Sequence, residues 1–257
     1  MEFQNIKFQI ENRVARITFA RPPLNVFNIA MMREIGAALD DCADRRDLAA
    51  ILFDAAPGTK AFSAGVAIEE HVAGTVFKML DSFHSIFRAL HQISKPVVAI
   101  VDGPALGGGC ELVAACDIVI CSERARFGQP EIKLGVFPPV AAIILPRIIG
   151  EKKAREMILL GEIVEADEAL RLGLVNQVVP SRDLSQQAEV VLAKLRELSS
   201  ASLQFTRSAL DLGTNGEFES ALTEVESLYL NELMKTEDAS EGVRSFMEKR
   251  KPEWRNR

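Results

Sequence analysis

The chain has 257 residues, of which 48% are hydrophobic and 26% charged, a composition typical of ordinary globular proteins. Its formal net charge of −6 argues against a general nucleic-acid-binding protein, because such a protein needs a basic surface. No apolar run approaches the roughly 20 residues of a membrane span, and the N-terminal residues contain no signal-peptide core. We therefore expect a cytoplasmic protein without membrane or nucleic-acid partners.

In the first half of the chain, predicted strands alternate with predicted helices. Apolar and polar residues alternate on both sides of Asn12-Arg13, a pattern that predicts a β-hairpin over 6–19. Apolar residues at helical spacing predict one helix over 29–42 and a strongly amphipathic one over 76–90. Buried strands of a parallel sheet are predicted where short apolar runs occur, at 49–53, 97–101 and 118–121.

The second half is predominantly helical. A glycine-rich turn at 103–109 leads into a short predicted helix at 110–115. One further strand is predicted at 174–179, and helices are predicted at 151–160, 166–172, 183–198, 203–212, 218–233 and 239–249. This order predicts an α/β core, residues 1–195, followed by a helical C-terminal region, residues 196–257.

The cysteines and histidines do not form a recognisable metal or redox motif. Cys42, Cys110, Cys116 and Cys121 include no C-x-x-C pair, so we interpret them as small buried hydrophobic residues. The histidines, His71, His84 and His91, lack the spacing of metal ligands, so we interpret them as surface or helix residues. The sequence therefore predicts no metal site.

The glycine-rich turn is the first candidate for chemistry. A fully apolar strand runs into Gly107-Gly108-Gly109 and then a helix, so the turn offers free backbone N–H groups at a helix start. It does not fit the dinucleotide fingerprint, because Ala105 stands where a glycine is required, nor the Walker pattern, because Gly109 stands where lysine is required. A tight turn that serves only helix–strand packing is the alternative.

A second small-residue turn, at 60–68, also joins a strand to a helix. Two such turns can direct two N–H groups at one oxygen, the arrangement that stabilises an oxyanion. Glu111 and Glu131 stand in apolar sequence surroundings, which raise a carboxyl pKa, and a pair of such groups can divide acid and base roles. The alternative is that each glutamate is a cap or a salt-bridge partner.

Four segments resemble motifs of the crotonase superfamily, and most closely those of the enoyl-CoA hydratases. They occur in the family's order, at 60–65, 105–112, 127–131 and 246–252. The resemblance implies the crotonase (ClpP/crotonase-like) fold, an α/β spiral of ββα units with a helical C-terminal trimerisation region. It also implies a hydro-lyase that adds water reversibly to an α,β-unsaturated acyl-CoA.

The resemblance also implies specific roles. The N–H groups of Val66 and Gly108 would hold the thioester oxygen as it gains enolate charge, while Glu111 and Glu131 would hold a water, one as acid and one as base. Which glutamate has which role stays open. No cofactor is implied, since coenzyme A is part of the substrate. The remaining implied residues are Ala64, Ile68 and Lys249 for CoA, and Phe137, Pro139 and Ala141 for the acyl pocket.

The family forms trimers, commonly paired into hexamers, so we expect a homotrimer or homohexamer in which Lys249 reaches a neighbouring subunit's CoA. The stretch 244–257 carries six Lys and Arg against two Glu, which suits a site for CoA phosphates. A basic helix end that complements the helix dipole is the alternative. The basic residues are Arg244, Lys249, Arg250, Lys251, Arg255 and Arg257.

Departures from the family pattern narrow the expected substrate. Pro139 stands where the hydratases have a glycine whose N–H helps to hold the water, and Ala67 stands where they usually have aspartate. Ala141 and Ala142 add methyl groups near the acyl pocket. Residues 22–28 resemble a subgroup that hydrates the cyclic cyclohexa-1,5-diene-1-carbonyl-CoA. Two other functions remain open, an enoyl-CoA isomerase and a non-catalytic, RNA-binding protein of the same fold.

Overall fold

The computed structural model describes residues 3–214 and 216–256, and in these ranges nine strands form two sheets. The strands are β1 (Ile6–Glu11), β2 (Val14–Phe19), β3 (Ala50–Ala55), β4 (Val97–Val101), β5 (Pro104–Leu106), β6 (Ile118–Ser122), β7 (Arg126–Gly128), β8 (Ile163–Glu165) and β9 (Gln177–Val179). The helices are α1 (Ile29–Ala43), α2 (Val76–Gln92), α3 (Gly108–Ala114), α4 (Ala141–Ile149), α5 (Glu151–Leu160), α6 (Ala166–Arg171), α7 (Leu184–Arg196), α8 (Ser200–Thr214), α9 (Phe218–Asn231) and α10 (Glu237–Met247).

The larger sheet has the strand order β1-β2-β3-β4-β6-β9. Strands β1 and β2 pair antiparallel, and the other neighbours pair in parallel. Asn12 and Arg13 form the turn between β1 and β2 with φ of 46° and 66°, so the predicted hairpin is confirmed. The α/β class predicted from the alternation of strands and helices is confirmed as well.

Both faces of the larger sheet are covered, which explains why its central strands are apolar throughout. Ile51 and Phe53 of β3 enter the main core with residues of α1 and α2. The alternate residues Ala50 and Leu52 enter a second cluster with residues of α7. Since successive strand residues point to opposite faces, one strand contributes to both cores.

The smaller sheet, with the order β5-β7-β8, was not predicted from the sequence. Its strands have three residues each, too few to show a periodicity. Strand β5 pairs in parallel with β7, with Leu106 opposite Gly128. The N–H of Gly107 then donates to the Gly128 carbonyl at 2.9 Å. This pairing brings the glycine turn after β5 next to the segment that carries Glu131.

Two further predictions needed correction. The strand predicted over 174–179 is confined to β9, and the apolar residues Leu174 and Val175 before it pack in the main core outside the sheet. Helix α4 follows the proline-containing segment 136–140 and was not predicted, since Pro146 inside it interrupts the helical signal.

The C-terminal region is helical, as predicted, and several of its large apolar side chains are exposed. In α9 only Ala221 among the described residues is buried, whereas Phe218 and Tyr229 are 73% and 54% exposed. Phe246 and Met247 at the end of α10 are also exposed. Part of the predicted apolar stripe of α9, including Phe218 and Tyr229, is therefore exposed in a single chain. The predicted basic residue Arg257 lies outside the described residues.

Candidate active site

The first small-residue turn is fixed by the segment 24–27, which lies against it. The Ala64 N–H donates to the Leu24 carbonyl at 3.0 Å, and the Phe27 N–H donates to the Gly65 carbonyl at 2.8 Å. Gly65 has a φ of +100°, and a Cβ there would lie 3.1 Å from the Leu106 carbonyl oxygen. Only glycine permits this backbone conformation at such close approach, and it leaves the next N–H, that of Val66, at the turn.

The second turn places Gly108 at the start of α3 and next to the first. A Cβ at Gly65 would lie 3.5 Å from the Gly108 nitrogen, and a Cβ at Gly108 would lie 2.9 Å from Val66 Cγ2. Among the described residues, neither the Val66 nor the Gly108 N–H has a hydrogen-bond acceptor. The two predicted oxyanion donors are thus brought together with their hydrogens unused.

Glu111 lies one turn into α3 and is 2% exposed. Its Oε1 accepts a hydrogen bond from the Ala141 N–H at 2.8 Å. The pKa of Glu111 is raised to about 8, chiefly by burial; the neighbouring Glu131 carboxyl contributes to the rise, and the hydrogen bond from the Ala141 N–H opposes it. The carboxyl is therefore held in place by α4 and titrates near neutral pH.

Glu131 lies in the 3-10 helix Pro130–Leu134 that follows β7. A Cβ at Gly107 would overlap its Oε1, so this carboxyl lies directly against the glycine turn. Its Oε2 is buried and has no hydrogen-bond partner in the described part of the chain. Burial raises the pKa of Glu131 to about 7. Both glutamates thus flank the same turn as the Gly108 N–H.

One cavity of about 360 Å³ is lined by both glutamates and both turns. The predicted residues Ala64, Ile68, Phe137 and Pro139 line the same cavity. Ala141 does not line it: the residue is fully buried behind the wall and contributes its N–H to Glu111. The structure therefore brings together eight of the predicted site residues, Ala64, Val66, Ile68, Gly108, Glu111, Glu131, Phe137 and Pro139.

Lys249 lies apart from this cavity. It follows α10, is exposed and has a φ of 55°. Its N–H donates to the Phe246 carbonyl at 3.2 Å, which closes the end of the helix. Within one chain, Lys249 is therefore placed as a helix-end residue.

The sequence interpretation missed the opposite wall of the cavity. Met79, Leu80 and Phe83 of α2 line it, together with His71, which had been assigned to the surface or a helix. The helical period of α2 predicts that its apolar residues share one face, but it does not indicate that part of this face borders a cavity. Phe83 lies over the second turn, since a Cβ at Gly108 would lie 2.8 Å from Phe83 Cζ.

The paired carboxyls lead to an expected pH dependence. Proton transfer in both directions needs one carboxyl ionised and the other protonated, and raised values of about 7 and about 8 favour that form between them. We expect kcat/KM for the substrate to follow a bell-shaped profile, falling below about pH 7 as both protonate and above about pH 8 as both ionise. A profile measured from pH 5 to 10 that stays flat would contradict this assignment.

The described residues show neither a metal-binding cluster nor a membrane-spanning helix. They contain no group of three or more His, Cys, Asp or Glu side chains arranged to hold a metal ion. None of their helices is both long and apolar enough to cross a membrane.

Comparison with known proteins identifies the family. Residues 9–257 match the model of the enoyl-CoA hydratase/isomerase family. A probable enoyl-CoA hydratase of Mycobacterium tuberculosis is 38% identical over all of both chains. The cyclohexa-1,5-dienecarbonyl-CoA hydratase of Thauera aromatica is 33% identical over 96% of this chain and 95% of its own.

The structural comparison agrees. The crystal structure of an enoyl-CoA hydratase from Mycobacterium smegmatis superposes with a TM-score of 0.92 at 31% identity, covering 98% of this chain and 99% of its own. The predicted crotonase fold and the predicted hydratase-type enzyme, a hydro-lyase, are confirmed. With a family model that spans nearly the whole sequence, the chain belongs to the enoyl-CoA hydratase/isomerase family.

Proposed function

We propose that this enzyme adds water reversibly to the double bond of an α,β-unsaturated acyl-CoA thioester. The observation that carries the proposal is the position of two buried carboxyls, Glu111 and Glu131, beside the unused N–H groups of Val66 and Gly108 in one cavity. A water can be held by the carboxyls while the N–H groups donate hydrogen bonds to the thioester oxygen as it gains negative charge.

In this mechanism the thioester oxygen accepts hydrogen bonds from Val66 and Gly108, and water adds to the β-carbon. One glutamate takes the proton from the water, and the other supplies the proton to the α-carbon. Each hydrogen bond that strengthens as the enolate forms lowers the barrier rather than only tightening substrate binding.

Close to Pro139, which stands where the hydratases have a glycine, another backbone N–H contacts the site. Proline has no N–H to donate, but the N–H two residues later, that of Ala141, donates to Glu111 Oε1. Glu111 thus keeps a backbone donor from the same segment. We infer that this contact orients the carboxyl toward the water in place of the missing donor at 139.

For the acyl group we propose a cyclic conjugated dienoyl group. The segment 22–28, which resembles the cyclohexadienoyl-CoA hydratases, is the segment that holds the Ala64–Val66 turn through Leu24 and Phe27. The Thauera aromatica relative is named for this substrate. A panel of linear enoyl-CoA and cyclic dienoyl-CoA thioesters tests both the hydratase activity and the cyclic preference. Turnover is measured as the loss of absorbance of the conjugated thioester. Faster turnover of linear short-chain members would overturn the cyclic preference, and no turnover of any member would overturn the hydratase.

We also propose that the enzyme assembles as a trimer or a hexamer through its C-terminal helices. The exposed side chains of Phe218 and Tyr229 on α9, with Phe246 on α10, make an apolar surface that is costly to leave in water. Light scattering at micromolar concentration should give three or six chain masses. A stable monomer would contradict the proposal.

Lys249 would then contact CoA bound to a neighbouring subunit. We expect Lys249→Ala to raise KM for the CoA thioester by up to about fivefold, the range of an exposed ion pair, with little change in kcat because the phosphates are remote from the reacting bond. The effect should shrink at high salt. The exposed Lys152 offers a matched control, since Lys152→Ala removes the same charge from α5. An unchanged KM at low salt would leave Lys249 as a helix-end residue only.

A further inference from the structure

The cavity contains one hydrogen-bonding side chain beyond the two glutamates. Among the described residues that line it, the others are apolar or glycine, and His71 is the exception. The mechanism above gives His71 no part. A polar group in an apolar binding wall commonly fixes the orientation or the identity of a ligand.

The tautomer of His71 follows from its contact. Nδ1 lies 2.9 Å from the Ala67 carbonyl oxygen, which can only accept, so Nδ1 carries the proton. In the neutral ring Nε2 is then an acceptor. Nε2 has no hydrogen-bond partner among the described residues. It also differs from the Nε2 of His84, which is a fully buried polar atom without a partner. The free acceptor of His71 is therefore open to a ligand.

The ring is carried by a well-anchored loop. The Glu70 carboxylate accepts the Ile29 N–H at the start of α1 at 2.9 Å, and Thr75 Oγ1 donates to the Glu70 carbonyl at 3.0 Å. The His71 N–H donates to the Ile68 carbonyl at 3.0 Å. These bonds hold the backbone on both sides of His71, so its acceptor is fixed before a ligand arrives.

The position of His71 along the cavity indicates which part of a ligand it meets. Phe83 of α2 contacts the oxyanion turn, and Val76, which also lines the cavity, is seven residues earlier in the same helix. Seven residues of helix span about 10 Å. The Val76 N–H donates to the Val72 carbonyl at 2.9 Å, so His71, the residue before Val72, lies at the Val76 end of the wall. His71 therefore lines the part of the cavity toward the first turn of α2, away from Phe83.

We propose that His71 is a specificity-determining residue that selects acyl groups bearing a hydroxyl on the carbons remote from the thioester. The hydroxyl would donate to Nε2, and an acyl group without a donor would leave this acceptor unpaired in an apolar wall. The inference rests on the proposed hydration of an acyl-CoA and applies equally to a ring and to a chain.

Matched probes test this inference directly. We would use linear 2-enoyl-CoA thioesters of six and eight carbons, each with and without a terminal hydroxyl. For the wild type we expect kcat/KM to favour the hydroxylated member of at least one pair by roughly 2- to 12-fold, the range of a single hydrogen bond. His71→Leu should abolish the preference, and His71→Gln, which keeps an acceptor, should retain part of it. His91→Leu, on the exposed last turn of α2, is the control and should behave as the wild type.

Three results would overturn the inference. The first is no preference for the hydroxylated thioester in the wild type, and the second is an unchanged preference in His71→Leu. The third is a rise in KM in His71→Leu that is equal for the thioesters with and without the hydroxyl, which would place His71 on CoA itself. Calorimetry with saturated acyl-CoA thioesters, with and without the hydroxyl, measures the same preference without turnover. A wild type that shows the binding preference but hydrates nothing would overturn the proposed function and support this inference. Hydration by a wild type that shows no preference for the hydroxyl would support the proposed function and overturn this inference.

Discussion

Glu111→Gln and Glu131→Gln should each lower kcat by roughly 10²- to 10⁴-fold, the usual contribution of a positioned acid or base. KM should change little, because the oxyanion donors and the CoA contacts remain. Each substitution keeps the size of the side chain, and glutamine at 111 can still accept from the Ala141 N–H. Initial rates with the best thioester of the panel give the result. Glu156→Gln, a half-exposed carboxyl on α5, is the control, and near wild-type hydration by either site variant would sink the assignment.

The Glu111→Gln variant should also be more stable at alkaline pH. Burial raises the pKa of Glu111 from 4.5 to about 8, so the unfolded chain releases this proton at a lower pH than the folded one. The wild type therefore loses stability as pH rises from about 4.5 to about 8, whereas the glutamine variant has no proton to lose at this site. The gain in Tm of Glu111→Gln over wild type should be larger at pH 9 than at pH 5. An equal gain at both values would contradict the raised pKa.

Gly108→Ala should lower kcat by roughly 10²- to 10³-fold, the cost of one displaced oxyanion donor. The new methyl would lie 2.8 Å from Phe83 Cζ and 2.9 Å from Val66 Cγ2, so either the turn or these side chains must move. The expected loss is that of the Gly108 donor, since the Val66 contact is with its side chain and not with its N–H.

Thermal melts separate this effect from a loss of folding. Gly36 in α1 is the matched control, because a Cβ there would have no atom within 4 Å and Gly36→Ala should leave activity intact. A Gly108→Ala variant that melts like the wild type and hydrates at full rate would move the oxyanion site elsewhere.

The chemistry of the site could be predicted from the sequence because its residues are concentrated in short motifs. Glu111 follows three glycines, and Glu131 follows a Phe-Gly-Gln-Pro run, so local sequence identifies both. The wall formed by Met79, Phe83 and His71 could not be predicted in the same way. Its residues share a helix face or loop with core residues, and only the packing of α2 against the turns decides which of them border the cavity.

Some elements of secondary structure could likewise be predicted from local sequence, and others could not. The hairpin of β1 and β2 and the long amphipathic helix α2 have strong periodic patterns and were predicted nearly to the residue. Strands β5, β7 and β8 form from segments of three residues that pair because the larger structure brings them together. Tertiary context, rather than local preference, determines such elements.

The relative position of the two carboxyls depends on strand pairing in the smaller sheet. Glu111 follows β5 and Glu131 follows β7, and the register of these strands rests on three residue pairs. The long strands of the larger sheet do not depend on this pairing. An opening that separates β5 from β7 would therefore move the two glutamates apart. Amide hydrogen exchange at β5 and β7, rather than the global free energy of unfolding, therefore measures how long the two glutamates stay together.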